Sequence, residues 1–303
     1  MIIENKRFVL ILIGFLFGLA FLWHYFIAPF LTILPADFSY NANIVSSDNF
    51  YDESKKEYAG EKQSATNFSY EVVDQKQGIY IIKNIFNVRT FTGDEIFKVE
   101  RLYGIDPKNR AQVAGFGDHD RAGYLFAPQH LKKGAPFTYW HINYDGGAVM
   151  NFVDEENIFG LPVYHYETHY KGVKIDQTKD LTYLPKVGIT RGIDLEPYLQ
   201  VWIEPETGRM IKYKDETVAY YYDSKTGVKQ NPWNKFSNTY TRESVFEQVN
   251  DAKKEKIYFR LVENGVPVFI LLSVLFLFVS FFNKKIAIAI FILVDFIIYL
   301  FFF

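Results

Sequence analysis

The sequence contains no cysteine, and this absence excludes a group of structures and reactions. Without thiols the fold cannot depend on disulfides or thiolate metal sites, and no cysteine nucleophile is available. Positive charge is not concentrated either, because 33 lysines and arginines are balanced by 35 acidic residues, for a formal net charge of −2. Binding to nucleic acid phosphates requires clustered positive charge, so we exclude nucleic acid as a partner.

Sequence motifs for a reaction, for a nucleotide or for a metal ion are also missing. We therefore predict a protein that is not an enzyme and that uses no cofactor. A functional hypothesis has to come from the organisation of the chain and from the composition of its parts.

The sequence does contain a long apolar run near its start, at residues 8–34. A helix over this run would rise roughly 40 Å, more than the roughly 30 Å hydrocarbon core of a bilayer. A cleaved signal peptide is the alternative, but its apolar part is only about 7 to 15 residues long. The run continues through Gly18 and Ala20 without a polar break. We predict an uncleaved transmembrane helix.

The charges on either side of this run predict its orientation. Lys6 and Arg7 precede the run, whereas Asp37 and Asp48 follow it. Since positive charge is enriched on the cytoplasmic side of membrane helices, the N-terminus is predicted to be cytoplasmic. The main part of the chain is then extracytoplasmic, and the predicted location is the cytoplasmic (plasma) membrane.

Two shorter apolar segments follow near the C-terminus, at residues 266–282 and 286–303. Each is close to the lower limit of about 17 residues for crossing a bilayer, and the lysine pair between them is predicted to be cytoplasmic. Asp295 interrupts the last segment. An acidic residue inside a membrane segment is costly, so Asp295 is interpreted as a polar contact to another helix or subunit, with proton relay as the alternative.

The region between the apolar segments is rich in aromatic residues, and the chain has 22 tyrosines and 30 phenylalanines. They alternate with polar residues, which favours strands. Hairpin turns are predicted at Gln77-Gly78 and at residues 205–208. Thr241 is a predicted helix cap. The predicted organisation is a cytoplasmic N-terminus (1–7), a transmembrane helix (8–34), an extracytoplasmic β domain (35–240), a helical stalk (241–264) and two further transmembrane helices (266–282 and 286–303).

The predicted fold class is mainly β, with a large antiparallel-sheet domain flanked by transmembrane helices. Two curved β-meanders joined near residues 128–136 fit the spacing of the strands. The aromatic content also fits sheets that curve around an apolar groove, although the same residues could simply fill a core.

Few polar residues are candidates for chemistry. In the segment Asp118-His119-Asp120, a carboxylate could orient the His119 imidazole for metal binding or acid–base catalysis. A solvated turn is the favoured interpretation, because the segment is rich in glycine. Asn67 begins a glycosylation sequon, Asn67-Phe68-Ser69.

Other histidines in the sequence give little support for a metal site. His165 and His169 have the spacing of a helical zinc pair, but the tyrosines around them favour a strand. Four residues of strand span about 13 Å, too far to share one ion. His130 and His141 are predicted to lie at the surface or at the edge of the core.

Several short segments carry a resemblance to a known family. They are LPADF at residues 34–38, RAGY at residues 121–124, VWIEPETG at residues 201–208 and DAKK at residues 251–254. The chain resembles the porin A family of actinobacteria and its uncharacterised archaeal and bacterial relatives. The resemblance implies a membrane-anchored extracytoplasmic protein of unknown function and supplies no catalytic residues. The VWIEPETG hairpin is also similar to hairpins of lipoprotein-carrier folds, which implies a carrier-like curvature of the meanders.

The functional hypothesis is a non-enzymatic, membrane-anchored cell-surface protein whose β domain binds or carries a lipid or another apolar ligand. One alternative is a structural or assembly component of the cell envelope, or an accessory subunit of a membrane complex. Another is a pore-forming protein, although strands with this much charge do not predict a transmembrane barrel, so assembled helices would have to form the pore. The predicted partners are membrane lipids and either further copies of the chain or other membrane proteins.

Overall fold

The computed structural model of the chain describes residues 6–142, 144–175, 187, 188 and 190–282. The chain divides into two compact units, a helical unit (1–33 with 254–303) and a β unit (34–253). The predicted third membrane segment and Asp295 lie outside the described residues.

The β unit contains twelve strands within the described residues. They are β1 (Ser39–Asp52), β2 (Glu57–Tyr58), β3 (Lys62–Lys76), β4 (Ile79–Arg89), β5 (Glu95–Ile105), β6 (Phe137–His141), β7 (Gly146–Ile158), β8 (Leu161–His169), β9 (Val173–Lys174), β10 (Arg191–Ile203), β11 (Met210–Asp223) and β12 (Lys229–Tyr240).

The strands form one sheet in the order β5-β4-β3-β1-β12-β11-β10-β8-β7-β6, and every ladder between them is antiparallel. The sheet consists of a first meander (β1, β3, β4, β5) and a second meander (β6, β7, β8, β10, β11, β12). Pairing of β1 with β12 joins them, with Ile44 opposite Tyr240. The predicted mainly β, antiparallel fold is confirmed, and the two meanders form one continuous sheet.

The segment between β5 and β6 pairs with parts of the two outer strands of this sheet. Ile105 bridges to Gln112, Ala111 bridges to Tyr124, and Tyr124 bridges to Tyr139 in β6. These short bridges link β5 to β6 by backbone hydrogen bonds. Pairing of these edge groups reduces the unpaired backbone that β5 and β6 expose to other chains.

Alternation along the strands directs large aromatic side chains into the space enclosed by the sheet. Tyr40, Tyr70, Tyr103 and Tyr139 are among the largest fully buried side chains. Buried phenols need hydrogen-bond partners, and the Tyr40 hydroxyl donates to the Met210 carbonyl at 3.1 Å. Burial also raises the pKa of the Tyr70 and Tyr139 hydroxyls well above the usual tyrosine value. The aromatic residues therefore fill this part of the interior.

A helix, α3 (Arg242–Arg260), follows β12. The Thr241 hydroxyl accepts a hydrogen bond from the Ser244 backbone N–H at 3.2 Å, which is the predicted cap. The Gln248 amide donates to the Asn41 carbonyl at 2.7 Å, and Val249 belongs to the buried core of the β unit. The first part of the segment predicted to be a stalk is thus packed on β1.

In the helical unit, α1 (Lys6–Leu22), a π-helical turn (Trp23–Ile27) and α2 (Ala28–Leu31) form the first apolar helix. A second π-helical turn (Leu261–Gly265) connects α3 to α4 (Val266–Phe282). Within the described residues, two helical segments are long and apolar enough to cross a membrane, Phe8–Leu31 and Arg242–Val279.

The two apolar helices run antiparallel and are joined by side-chain hydrogen bonds. Trp23 donates its indole N–H to the Val262 carbonyl at 2.8 Å, and Tyr258 donates to the Leu31 carbonyl at 3.2 Å. A π-helical turn changes the usual pattern of backbone hydrogen bonds, and the Trp23 indole binds a carbonyl of such a turn.

Candidate functional site: an amphipathic cavity in the sheet

The Asp118-His119-Asp120 turn has a structural arrangement. The Asp118 carboxylate accepts hydrogen bonds from Arg121, and the Asp120 carboxylate accepts the Gly115 backbone N–H at 2.7 Å. His119 is exposed to solvent. Both carboxylates therefore hold the loop between β5 and β6.

Arg121, in the RAGY segment, forms a buried ion pair. Its Nε lies 3.0 Å from Asp145 Oδ1, to which Trp140 also donates at 2.9 Å, and its guanidinium lies 4.5 Å from the centre of the Tyr103 ring. Burial tends to raise the pKa of Asp145, but the hydrogen bonds from Trp140 and Arg121 outweigh burial and lower it. The pair fixes the β5–β6 segment to the sheet.

The VWIEPETG hairpin is held by a buried carboxylate. Glu204 is fully buried, and its Oε2 accepts the Thr207 N–H at 2.7 Å and the Thr207 hydroxyl at 2.9 Å. Gly208 has φ of +70°, and a Cβ added there would lie 2.5 Å from the Ala127 carbonyl oxygen. Only glycine meets both conditions. The segment that carries the family resemblance is therefore a structural element.

His141 corrects the sequence analysis, which predicted a surface or core-edge position. The residue is fully buried, with Nε2 3.1 Å from the Tyr213 hydroxyl and 3.4 Å from Asp215 Oδ2. The prediction was wrong because alternation in β6 places His141 on the same inward face as Phe137 and Tyr139. The alternation of Phe137, Tyr139 and His141 along the sequence could have indicated that His141 is buried. His130 is exposed.

A buried polar network extends from His141 across the sheet. Asp215 accepts a hydrogen bond from the Thr217 hydroxyl at 2.7 Å and lies 3.5 Å from the Asn238 amide nitrogen. The Ser46 hydroxyl lies 2.6 Å from Asn238 Oδ1, to which it donates, and 2.8 Å from the Thr66 hydroxyl. The network thus reaches β1 and β3, where Ser46 borders an open cavity.

This cavity has a volume of about 390 Å³ and lies between β1, β3, β4, β5 and β12. Ligand pockets in proteins have volumes of about 300 to 1,000 Å³ and are mostly apolar. Two aromatic pairs line it, with ring centres 6.1 Å apart for Phe86 and Phe97 and 6.2 Å apart for Phe50 and Trp233. Val88, Ile96 and Phe236 complete the apolar lining.

Strands β1, β3 and β12 also contribute polar side chains to the cavity. Asp48 Oδ1 accepts a hydrogen bond from the Asn234 amide at 2.7 Å. Burial raises the pKa of Asp48, and the hydrogen bond from Asn234 offsets this only in part. The Ser64 hydroxyl oxygen is buried at the cavity and has no hydrogen-bond partner among the described residues. The cavity therefore combines apolar side chains with a buried carboxyl, and a buried hydroxyl lies beside it.

The sequence analysis predicted an apolar groove but named no residues for it. Alternation within β4 and β5 could have indicated Phe86, Val88 and Phe97, which point to one face. The contribution of β12 could not be found from local patterns, because Trp233 and Asn234 are distant in sequence from the first meander.

The structure also places the other candidates. His165 and His169 lie on β8, the first buried and the second exposed. The neighbours of His165 are not His169 but two acidic residues of β7. Its Nδ1 lies 3.3 Å from Asp154 Oδ1 and 3.6 Å from Glu156 Oε1.

Asn67 lies within β3, where its amide donates to Asn41 Oδ1 at 2.7 Å. It is partly exposed. Use of the sequon as a glycosylation site stays a prediction.

The fold and the site define a class of protein with a curled antiparallel sheet, an amphipathic cavity and two apolar helices that could cross a membrane. Residues 110–282 match the model of the family described as Porin PorA. Because the match covers more than half of the chain, the protein belongs to this family, which confirms the resemblance. No curated protein matches the chain. The matched region begins after β5, so β1, β3, β4 and β5 precede it.

Proposed function

We propose that the protein is a non-enzymatic, membrane-anchored binding protein that holds an amphipathic ligand of the lipid type in its cavity. The two apolar helices serve as the anchor in the cytoplasmic membrane. Lys6 and Arg7 favour a cytoplasmic N-terminus, which makes the β unit extracytoplasmic and a cell-surface domain.

The cavity is the observation that supports this proposal. Burial of an apolar chain against Phe50, Phe86, Phe97 and Trp233 is favourable by about 0.8 kcal/mol for each CH₂ group. The Asp48 carboxyl would hydrogen-bond to a polar group on the same ligand. A purely apolar ligand would leave the buried Asp48 carboxyl with only its hydrogen bond from Asn234, which is unfavourable. An amphipathic molecule fits both sides.

A pore is the second candidate, and the family description favours it. Among the described residues, the space enclosed by the sheet is filled at the level of Tyr40, Tyr70 and Tyr139. A pore would therefore have to be formed by helices from several copies. The hydrogen bond from Trp23 to Val262 shows how two such helices join within one copy.

The proposal is tested with the full chain, purified in detergent and analysed by native mass spectrometry and lipid extraction. A fluorescent long-chain fatty acid serves as the probe for titration. Val88→Trp fills the cavity, whereas Val45→Trp adds the same side chain at an exposed position on β1. We expect a copurifying lipid and probe binding in the wild type and in Val45→Trp, and loss of both in Val88→Trp.

Circular dichroism checks folding, and Ser64→Phe is a second cavity-filling variant in case Val88→Trp does not fold. Equal probe binding by wild type and a folded cavity-filled variant would contradict the proposal. Conductance across planar bilayers by the wild type, without a bound lipid, would favour the pore.

A further inference from the structure

Three side chains with metal-binding groups lie together on β7 and β8, apart from the cavity. They are Asp154, Glu156 and His165. The register of β7 shifts between Phe152 and Asp154, so Asp154 lies directly opposite His165. Directly opposite residues share a face of the sheet, and so do residues two apart on a strand.

The bulge in β7 therefore determines this grouping. In a regular ladder continued from the Phe152–Tyr166 pair, Val153 would lie opposite His165. The extra residue brings Asp154, and with it Glu156, to the face that carries the imidazole. Bulges commonly redirect side chains next to functional sites.

The distances match the spacing of ligands around a bound ion, and only the Asp154 contact is short enough for a weak hydrogen bond. His165 Nδ1 lies 3.3 Å from Asp154 Oδ1 and 3.6 Å from Glu156 Oε1, beyond the usual N–H···O range of about 2.7 to 3.2 Å. Tetrahedral Zn²⁺ binds nitrogen and oxygen at about 2.0 to 2.2 Å, which separates neighbouring ligand atoms by about 3.3 to 3.6 Å. All three potential ligand atoms lie within 4.8 Å of one another.

The imidazole is also held in place. Its ring stacks on Trp202 with 4.5 Å between ring centres and an angle of 2° between the planes, and Lys212 lies 3.7 Å from the centre of the Trp202 ring. His165 is only 8% exposed, and its Nε2 is buried without a partner among the described residues. Nδ1 is thus the ring atom that faces the carboxylates.

The carboxylates leave a route for an ion. The Asp154 and Glu156 side chains are 58% and 39% exposed. One imidazole with two carboxylates favours a transition metal, because Ca²⁺ and Mg²⁺ prefer oxygen ligands alone. Three protein ligands also leave a fourth tetrahedral position for water.

We propose that Asp154, Glu156 and His165 form a Zn²⁺ site on the β7–β8 pair. The site is independent of the cavity and of the ligand proposed for it. An ordinary ion pair between a protonated histidine and two carboxylates is the competing interpretation of the same geometry.

The test is calorimetric titration of the full chain, purified in detergent without a histidine tag, with ZnCl₂. His165→Gln and Asp154→Asn remove one ligand each. Glu155→Gln is the matched control, since Glu155 lies between the two acidic ligands on the strand and pairs with Lys133 at 3.2 Å. His169→Gln controls for the exposed histidine of the same strand.

We expect one Zn²⁺ per wild-type chain, an affinity at least about tenfold weaker in either ligand variant, and no change in the controls. Glu156→Gln, at a partly exposed position, is expected to show the same loss and serves if His165→Gln does not fold. No measurable binding by the wild type, or binding that survives in folded His165→Gln and Glu156→Gln, would overturn the proposal and leave the ion pair as the explanation.

Discussion

The first and second meanders are built from similar alternating strands, yet they use their inner faces differently. In the second meander, the inner side chains of β8, β10 and β11 are closely packed, and Leu199, Val201 and Ile203 are completely buried. In the first meander, Phe97 and Ile96 line an open cavity, where Phe97 is partly exposed and Ile96 is exposed. Only the second meander lies in the region that matches the family model. Strands β8, β10 and β11 thus form a packed scaffold, whereas the first meander together with β12 forms the wall of the site.

Truncation of a buried side chain in each meander is the strongest test of this comparison. Leu199→Ala is expected to lower the free energy of unfolding by about 3 to 4 kcal/mol, because the packed surroundings cannot collapse into the space left. Phe97→Ala is expected to cost only about 1 kcal/mol, since one side of the ring already borders the cavity. Urea unfolding followed by near-ultraviolet circular dichroism measures both, and equal losses would contradict the comparison.

A second test uses two glycines with positive φ, one in each meander. Gly208→Ala is expected to cost about 2 to 3 kcal/mol, because the added Cβ meets the Ala127 carbonyl at 2.5 Å in a strained conformation. Gly78 has φ of +80° but no atom within 4 Å of an added Cβ. Gly78→Ala should therefore lower the free energy of unfolding by only about 1 kcal/mol, which is the cost of the positive φ alone. Thermal unfolding of the two variants gives the difference.

The buried polar network provides a third, smaller effect. Asp215→Asn keeps the shape of the side chain but removes its charge and one of the two oxygen acceptors that face Thr217, His141 and Asn238. The variant is expected to lower the free energy of unfolding by about 2 kcal/mol. Glu216→Gln, on the neighbouring exposed position, breaks an ion pair with Lys214 and should cost under about 1 kcal/mol. If the two variants unfold alike, the network does not stabilise the second meander.

The smallest effect concerns pH. Burial raises the pKa of Asp48 in the folded state, so the folded chain binds this proton more tightly than the unfolded chain. Stability should consequently fall as pH rises from the unfolded pKa of about 4 through the raised folded pKa. Asp48→Asn should remove this decrease.

Asp52 on the same strand gives the opposite sign. Hydrogen bonds from Ser54 and Lys55 lower the pKa of Asp52. Its contribution is present above the unfolded pKa and is lost as pH falls through the lowered folded pKa. Melting temperatures of both Asn variants across pH 3 to about 8 would distinguish the two carboxylates.

Local signals explain what the sequence could predict. The hairpin at residues 205–208 follows from proline and glycine at fixed positions, and the antiparallel sheet follows from alternation of apolar and polar residues. Both depend on neighbouring residues. The apolar helices follow from composition alone.

What the sequence could not predict depends on distant residues. The register that places Ile44 opposite Tyr240, and the position of Trp233 at the cavity, require the two meanders to be assembled first. The cluster at His165 depends on the bulge in β7, which alternation cannot locate because one extra residue exchanges the two faces of a strand. His141 was within reach of the alternation argument and was still assigned to the wrong environment.

The pairing of β1 with β12 also has a consequence for the biogenesis of the protein. During synthesis the first meander emerges complete except for the outer edge of β1, whose partner is the last strand of the β unit to be made. Until β12 arrives, that edge presents unpaired backbone groups to any other nascent chain. Contacts that join such distant parts of a chain form slowly. The newly made β unit therefore passes through a period in which protection by a chaperone would matter more than for a protein whose strands pair in sequence.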